Sequence, residues 1–205
     1  MGCGWSPSPP ADMHLLDAVE AVNGGSEIPA FSGIPFWEHQ LDLGYRLTAI
    51  GGSDNHRPMR PLDRLGSVGS PTTVVYAANL STPAILAGIR AGHVFIDLTG
   101  SRDRMVNLTV SCDGKEARMG DPLRAERGSE VSFAAQVEDV AGAKVEFIED
   151  GKTLTTSLVP ASPASAQTVH TSWTSDGGRH WFLAQVAGPD GKLWLLGNPD
   201  RKSVV

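Results

Sequence analysis

Asp54-Asn55-His56 follows an apolar run, Leu47-Thr48-Ala49-Ile50-Gly51, after Gly52-Ser53. A carboxylate and an imidazole two residues apart, beyond a buried strand, are the ligand types of hydrolytic divalent metals. In barrel enzymes such groups gather where strands end. The pair is half of a metal site, because it offers only two donors. The plainer alternative is a turn in which Asp54 accepts from backbone amides.

Further residues could join this chemistry. Glu20 lies inside an apolar stretch at 15–22, where an unpaired carboxylate is costly. It either faces a polar barrel interior or meets a cation such as Arg46. Asn23 closes that stretch, as a turn former or as a polar group lining the site. Arg57 and Arg60 flank a polar loop at 57–71. They could hold a substrate anion by paired hydrogen bonds or simply be solvated. His14 and His39 have weaker cases, and His93, His170 and His180 look structural. No His-x-His, P-loop or His-Glu-x-x-His pattern occurs. Gly66-Ser67-Val68-Gly69-Ser70 has the residue types of a nucleophile elbow in the wrong order.

The elements that must position these groups come in two textures. Up to residue 97, strand patterns at 15–22, 46–51, 72–77 and 94–96 alternate with helical ones. One helix starts at Phe36-Trp37 and stops at Gly44. The other has Ser81 as N-cap, Pro83 in its first turn and Gly92 as its stop. Alternation of this kind predicts α/β architecture with a parallel sheet. Beyond residue 100, strand patterns at 106–111, 130–137, 144–148, 180–186 and 193–196 are separated by Asp-Gly turns. They predict an antiparallel β-sandwich of about 100 residues. The expected organisation is a loose segment at 1–13, an α/β unit at 14–103 and the sandwich at 104–205. Trp173, Trp181 and Trp194 are core residues of that sandwich or, if exposed on one face, its contacts.

The 205 residues carry a formal charge of −6 and a pI near 5.4, which argues against a nucleic-acid or anionic-membrane surface. No apolar run approaches the roughly 18–20 residues that a membrane span needs. Met1-Gly2-Cys3-Gly4-Trp5 lacks the basic and apolar regions of a signal peptide, so a cytoplasmic location is the default expectation. Two cysteines make no disulfide framework, and Cys112 reads as a small packing residue.

Several segments in order resemble the closing part of a PHP domain, of the CehA/McbA-type metallohydrolase branch. They are Asp17–Gly24, Phe36-Trp37, Leu43–His56, Pro71–Ala77, Ile89–Ile96, Met119-Gly120-Asp121 and Gly197-Asn198-Pro199. The resemblance spans roughly residues 15–199. It implies a partial (β/α)7-type barrel followed by the sandwich, with a metal cluster at the strand ends. It implies that Asp54 and His56 fall on the last ligand motif and that Glu20 is a catalytic carboxylate beside the site. Asn23, Arg57 and Arg60 would then contact a small-molecule substrate. The cofactor implied is a divalent metal (zinc or manganese, with iron as an alternative) that lowers the pKa of a bound water for phosphoester, carbamate, ester or amide hydrolysis. The early ligands of that family are missing, so the metal should bind weakly, and the chain would be the C-terminal part of an enzyme. With about four strands of seven, open barrel edges would favour self-association. The alternative function is a non-catalytic β-sandwich binding or interaction module.

Overall fold

A computed structural model describes residues 13–24, 32–57, 59, 66–161 and 166–202. A 3-10 turn, Met13–Leu15, leads into β1 (Ala18–Asn23), α1 (Ile34–Asp42) and β2 (Thr48–Gly52). After these come β3 (Thr72–Val75), α2 (Thr82–Ala91) and β4 (Val94–Asp97). The remainder is strand: β5 (Met105–Cys112), β6 (Lys115–Arg118), β7 (Pro122–Leu123), β8 (Glu130–Glu138), β9 (Lys144–Glu149), β10 (Lys152–Leu158), β11 (Ala166–Thr174), β12 (His180–Ala187), β13 (Leu193–Gly197) and β14 (Asp200–Lys202).

Both helices begin and end where their residues dictate. The Ser81 hydroxyl accepts the Ala84 amide at 3.3 Å at the start of α2, and Gly92 turns left-handed at its end. Pro35 sits in the first turn of α1. At the other end Gly44, with φ of 89°, lets the amides of Gly44 and Tyr45 return to Leu41 O and Gln40 O.

The strands form three sheets. β1 and β2 pair in parallel, with α1 as their crossover. A large sheet runs β10-β9-β12-β13-β4-β3, with β14 and β7 attached through β12. A four-stranded sheet runs β11-β8-β5-β6. Apart from the short β14–β7 contact, every pairing in these two sheets is antiparallel.

The large sheet is covered on both faces, and residue parity along its strands decides which face each side chain takes. Phe95, Phe147, Phe182 and Leu195 point toward the four-stranded sheet and join Val106, Leu108 and Phe133 in the main core. Their sequence neighbours Ile96, Ile148, Leu183 and Leu196 point the other way. There they meet Ala21, Val22, Trp37, Leu41, Leu47 and Ala49 of β1, α1 and β2. The result is three layers: small sheet, large sheet, and a thin outer layer of one helix and two strands.

Side chains, not a continuous ladder, join the outer layer to the large sheet. Buried Asn198 accepts the Ala49 amide at 2.7 Å and donates to Ala49 O at 3.0 Å and Val94 O at 2.8 Å. The Thr73 hydroxyl accepts the Gly51 amide at 2.9 Å and donates to Gly51 O at 2.7 Å. The Trp37 indole N–H donates to Leu47 O at 2.8 Å and locks α1 onto the strand entry.

The expectation of a partial (β/α)7-type barrel is therefore corrected. β3 and β4 are antiparallel neighbours, with α2 between them in sequence, and β4 continues into β13 of the sandwich. Only β1–β2 resembles a barrel fragment. The apolar run at 94–96 is buried throughout because layers lie on both sides of an antiparallel sheet, which produces the same residue pattern as a parallel strand.

Candidate functional site

The residues singled out in the sequence occupy the far end of the β1–β2 pair. Asn23 donates to the Glu20 carboxylate at 2.9 Å, so Glu20 is held by its own strand and not by Arg46. Asp54 adopts a left-handed φ of 46°, a conformation that Asp tolerates better than most residues. Its carboxylate meets His56 Nε2 at 2.9 Å, with the His56 side chain 83% exposed and that of Asp54 54%. Arg57 is exposed, and its amide donates to Asn55 Oδ1 at 2.7 Å in an Asx-type turn. Arg60 lies outside the described residues. Asp54 and His56 thus bond to each other, and no third His, Cys, Asp or Glu gathers with them among the described residues. Zinc sites use three or four protein ligands, so this pair does not make one by itself.

A different set of residues converges elsewhere. β9 ends at Glu149, and a tight turn through Asp150 and Gly151, both with positive φ, starts β10. Beside this turn β12 begins with His180. The His180 ring is clamped on both nitrogens: Nδ1 lies 2.6 Å from Asp150 Oδ2 and 3.4 Å from Glu149 Oε1, and Nε2 lies 3.0 Å from Asp176 Oδ1. The other Asp150 oxygen accepts the Trp181 amide at 2.9 Å. Burial alone would push the imidazole pKa down. The hydrogen bonds and negative charges of Asp150 and Asp176 outweigh it and hold His180 above its ordinary value. Burial also raises Glu149; His180 opposes that rise, while Asp150 and Asp176 reinforce it. Ligand atoms of Glu149, Asp150 and His180 lie within 4.8 Å of one another. Among the described residues, this is where a divalent cation would find three protein donors, meeting the imidazole through Nδ1.

The cluster borders a cleft of about 460 Å³ between the outer layer and the large sheet. One rim is the end of α1 and the 43–46 segment, and the other is Asp150, Lys152, Arg179 and His180. Trp181 ties the rims together: its ring is buried, and its indole N–H reaches across to Asp42 at 2.8 Å. Arg179 lies against Gly44, where a Cβ would stand 3.2 Å from the guanidinium.

Sequence reasoning missed this site. By sequence His180 looks structural, and Asp150-Gly151 reads as a turn signal only. Arg46 entered only as a partner for Glu20. The one available signal was a histidine amid strand residues with acids nearby in other segments, and only strand pairing brings them together.

No family model matches the chain, and no curated protein matches it. Among solved structures it is similar to fibronectin(III)-like modules of CbhA from Clostridium thermocellum. That likeness has 14% identity, a TM-score of 0.29, and covers 46% of this chain and 92% of that one. It is also similar to a CARDB domain from Pyrococcus furiosus, at 15% identity and a TM-score of 0.29, covering 49% of this chain and 98% of that one. Likenesses this slight carry no argument about function. The resemblance to a PHP-type metallohydrolase of the CehA/McbA branch is overturned: no family model supports it, and β3 and β4 lie as antiparallel neighbours in the large sheet, not as parallel strands of a (β/α)7 barrel. The hydrolase reading built on it falls as well.

Proposed function

We propose that the chain is a non-catalytic β-sandwich module that works by binding, with the cleft beside the end of α1 as its recognition site. The observation that supports this is the construction of the cleft. Its rims come from two different layers and are bridged by Trp181, through the indole bond to Asp42 and the amide bond to Asp150. A concavity of about 460 Å³ pinned in this way is preformed, and preformed pockets of this size suit small ligands. Trp181 is 4% exposed, and Trp173 and Trp194 pack against the main core. The tryptophans therefore build the scaffold and are not its contact surface.

Amide chemical shifts of isotope-labelled protein, recorded against a small-fragment library, test the reading. Hits should concentrate on the amides of 43–46, 150–152 and 179–181. Hits confined to other surfaces would overturn it, as would turnover of phosphoester or carbamate substrates by the purified chain with zinc or manganese.

A further inference from the structure

We propose that this cleft binds a small carboxylic acid, with the carboxylate held by Arg46, Lys152 and Arg179 and an apolar body lying against Tyr45 and Leu43. The proposal rests on the binding reading above and gives it a ligand class.

The argument starts from which charges in the cleft are already engaged. Both acids that line it have partners: Asp42 accepts the Trp181 indole N–H, and Asp150 accepts from His180 and the Trp181 amide. Arg46, Lys152 and Arg179 line the same cleft, and none of the three has a hydrogen-bond or ion-pair partner among the described residues. Three permanent cations and two engaged acids line the cleft, so the cations are open to an anion, on a chain whose formal charge is −6. Glu149 and Asp176 do not line the cleft; both face the His180 ring.

The size and polarity of the ligand follow from the same wall. Arginine forks match a planar carboxylate by paired hydrogen bonds. The end of α1 also lines the cleft, and a helix C-terminus carries partial negative charge. That end and the two acids favour a singly charged group over a dianionic phosphate. Leu43 is 55% exposed at the rim, and Tyr45 is half-buried beside it, giving apolar surface next to the cations.

The test uses 4-phenylbutyrate, its neutral amide and inorganic phosphate as probes, followed by amide shifts and calorimetry on the full chain. The acid should shift the amides of 43–46, 150–152 and 179–181 saturably and bind more weakly as ionic strength rises. Arg46→Gln and Arg179→Gln should each raise Kd about tenfold, the weight of one charge-assisted hydrogen bond. Both positions are exposed, so folding should be intact, and thermal unfolding of each variant checks that. Equal binding of the amide at the cleft would overturn the carboxylate proposal and leave the binding module standing. Phosphate binding there more tightly than the acid, or acid binding unaffected by both variants, would also overturn it. If none of the three probes shifted the cleft amides, this proposal would fail, and the binding reading would fail with it only if the fragment library also gave no hits there.

Discussion

Asn198 shows how much one side chain can decide. It is 1% exposed and makes three side-chain hydrogen bonds, two to Ala49 of the outer layer and one to Val94 O within the large sheet. Asn198→Ala removes the side-chain partners of the Ala49 amide and carbonyl, while Val94 O keeps the backbone N–H of residue 198 at 3.2 Å; the cost should be about 2–4 kcal/mol, read as a lowered midpoint in urea. His180 makes a different prediction. Its folded pKa lies above the ordinary 6.5, so the protonated ring is bound more tightly in the folded state. The stability it contributes is full below its unfolded pKa and is lost as pH rises through the folded value. Glu149, also raised, has the same sign at lower pH. Thermal unfolding of the wild type should therefore fall on the alkaline side of about pH 6.5, the ordinary histidine pKa, and His180→Gln should flatten that slope. An equally steep slope in the variant would assign the effect to other groups.

Among elements, the turn that carries the chain from β4 to β5 is the most tightly specified. The buried Asp97 carboxylate accepts from Thr99 N, Thr99 Oγ1 and Gly100 N on one oxygen, and from Ser101 Oγ and Arg102 N on the other. Gly100 has φ of 65°, and a Cβ there would overlap Gly69 O. Arg104 completes the corner, stacking 3.6 Å over the Trp194 ring and donating to Thr99 Oγ1 at 2.9 Å. Asp97→Ala should cost about 3 kcal/mol or more, since charge-assisted bonds are the stronger kind and here several donors lose their acceptor together. Hydrogen exchange at the amides of 99–102 should quicken well beyond the global change. Protection unchanged there would mean that the turn is held by packing alone.

At the scale of the whole molecule, two cores share one sheet. Phe182 and Leu183 are adjacent in β12, yet they belong to the inner and outer clusters respectively. Because the same strand carries both cores, loss of either should melt the sheet as a unit. Phe182→Ala and Leu183→Ala should each cost about 2–5 kcal/mol. Both should shift a single transition seen alike by tryptophan fluorescence and far-ultraviolet dichroism. Two separated transitions in either variant would show that the outer layer unfolds independently.

The sequence alone determined the local elements wherever chemistry acts at short range. Ser81, Pro83 and Gly92 delimited α2, and Asp-Gly pairs marked turns between strands whose alternation was plain, such as β5 and β8. β10 and β11 escaped notice because they are sheet edges rich in Thr and Ser, with little apolar alternation to read. Tertiary structure alone decided what covers the second face of the large sheet. Burial on both faces removes the polar alternation that identifies an antiparallel strand, so β4 carries the signature of a parallel one. The motif at 54–56 was legible because its residues are neighbours in sequence, but their exposure was not. The cleft was illegible for the converse reason. Its groups at 42–46, 150–152 and 179–181 are remote along the chain, and only the pairing of β9 with β12 and the docking of α1 bring them to one place.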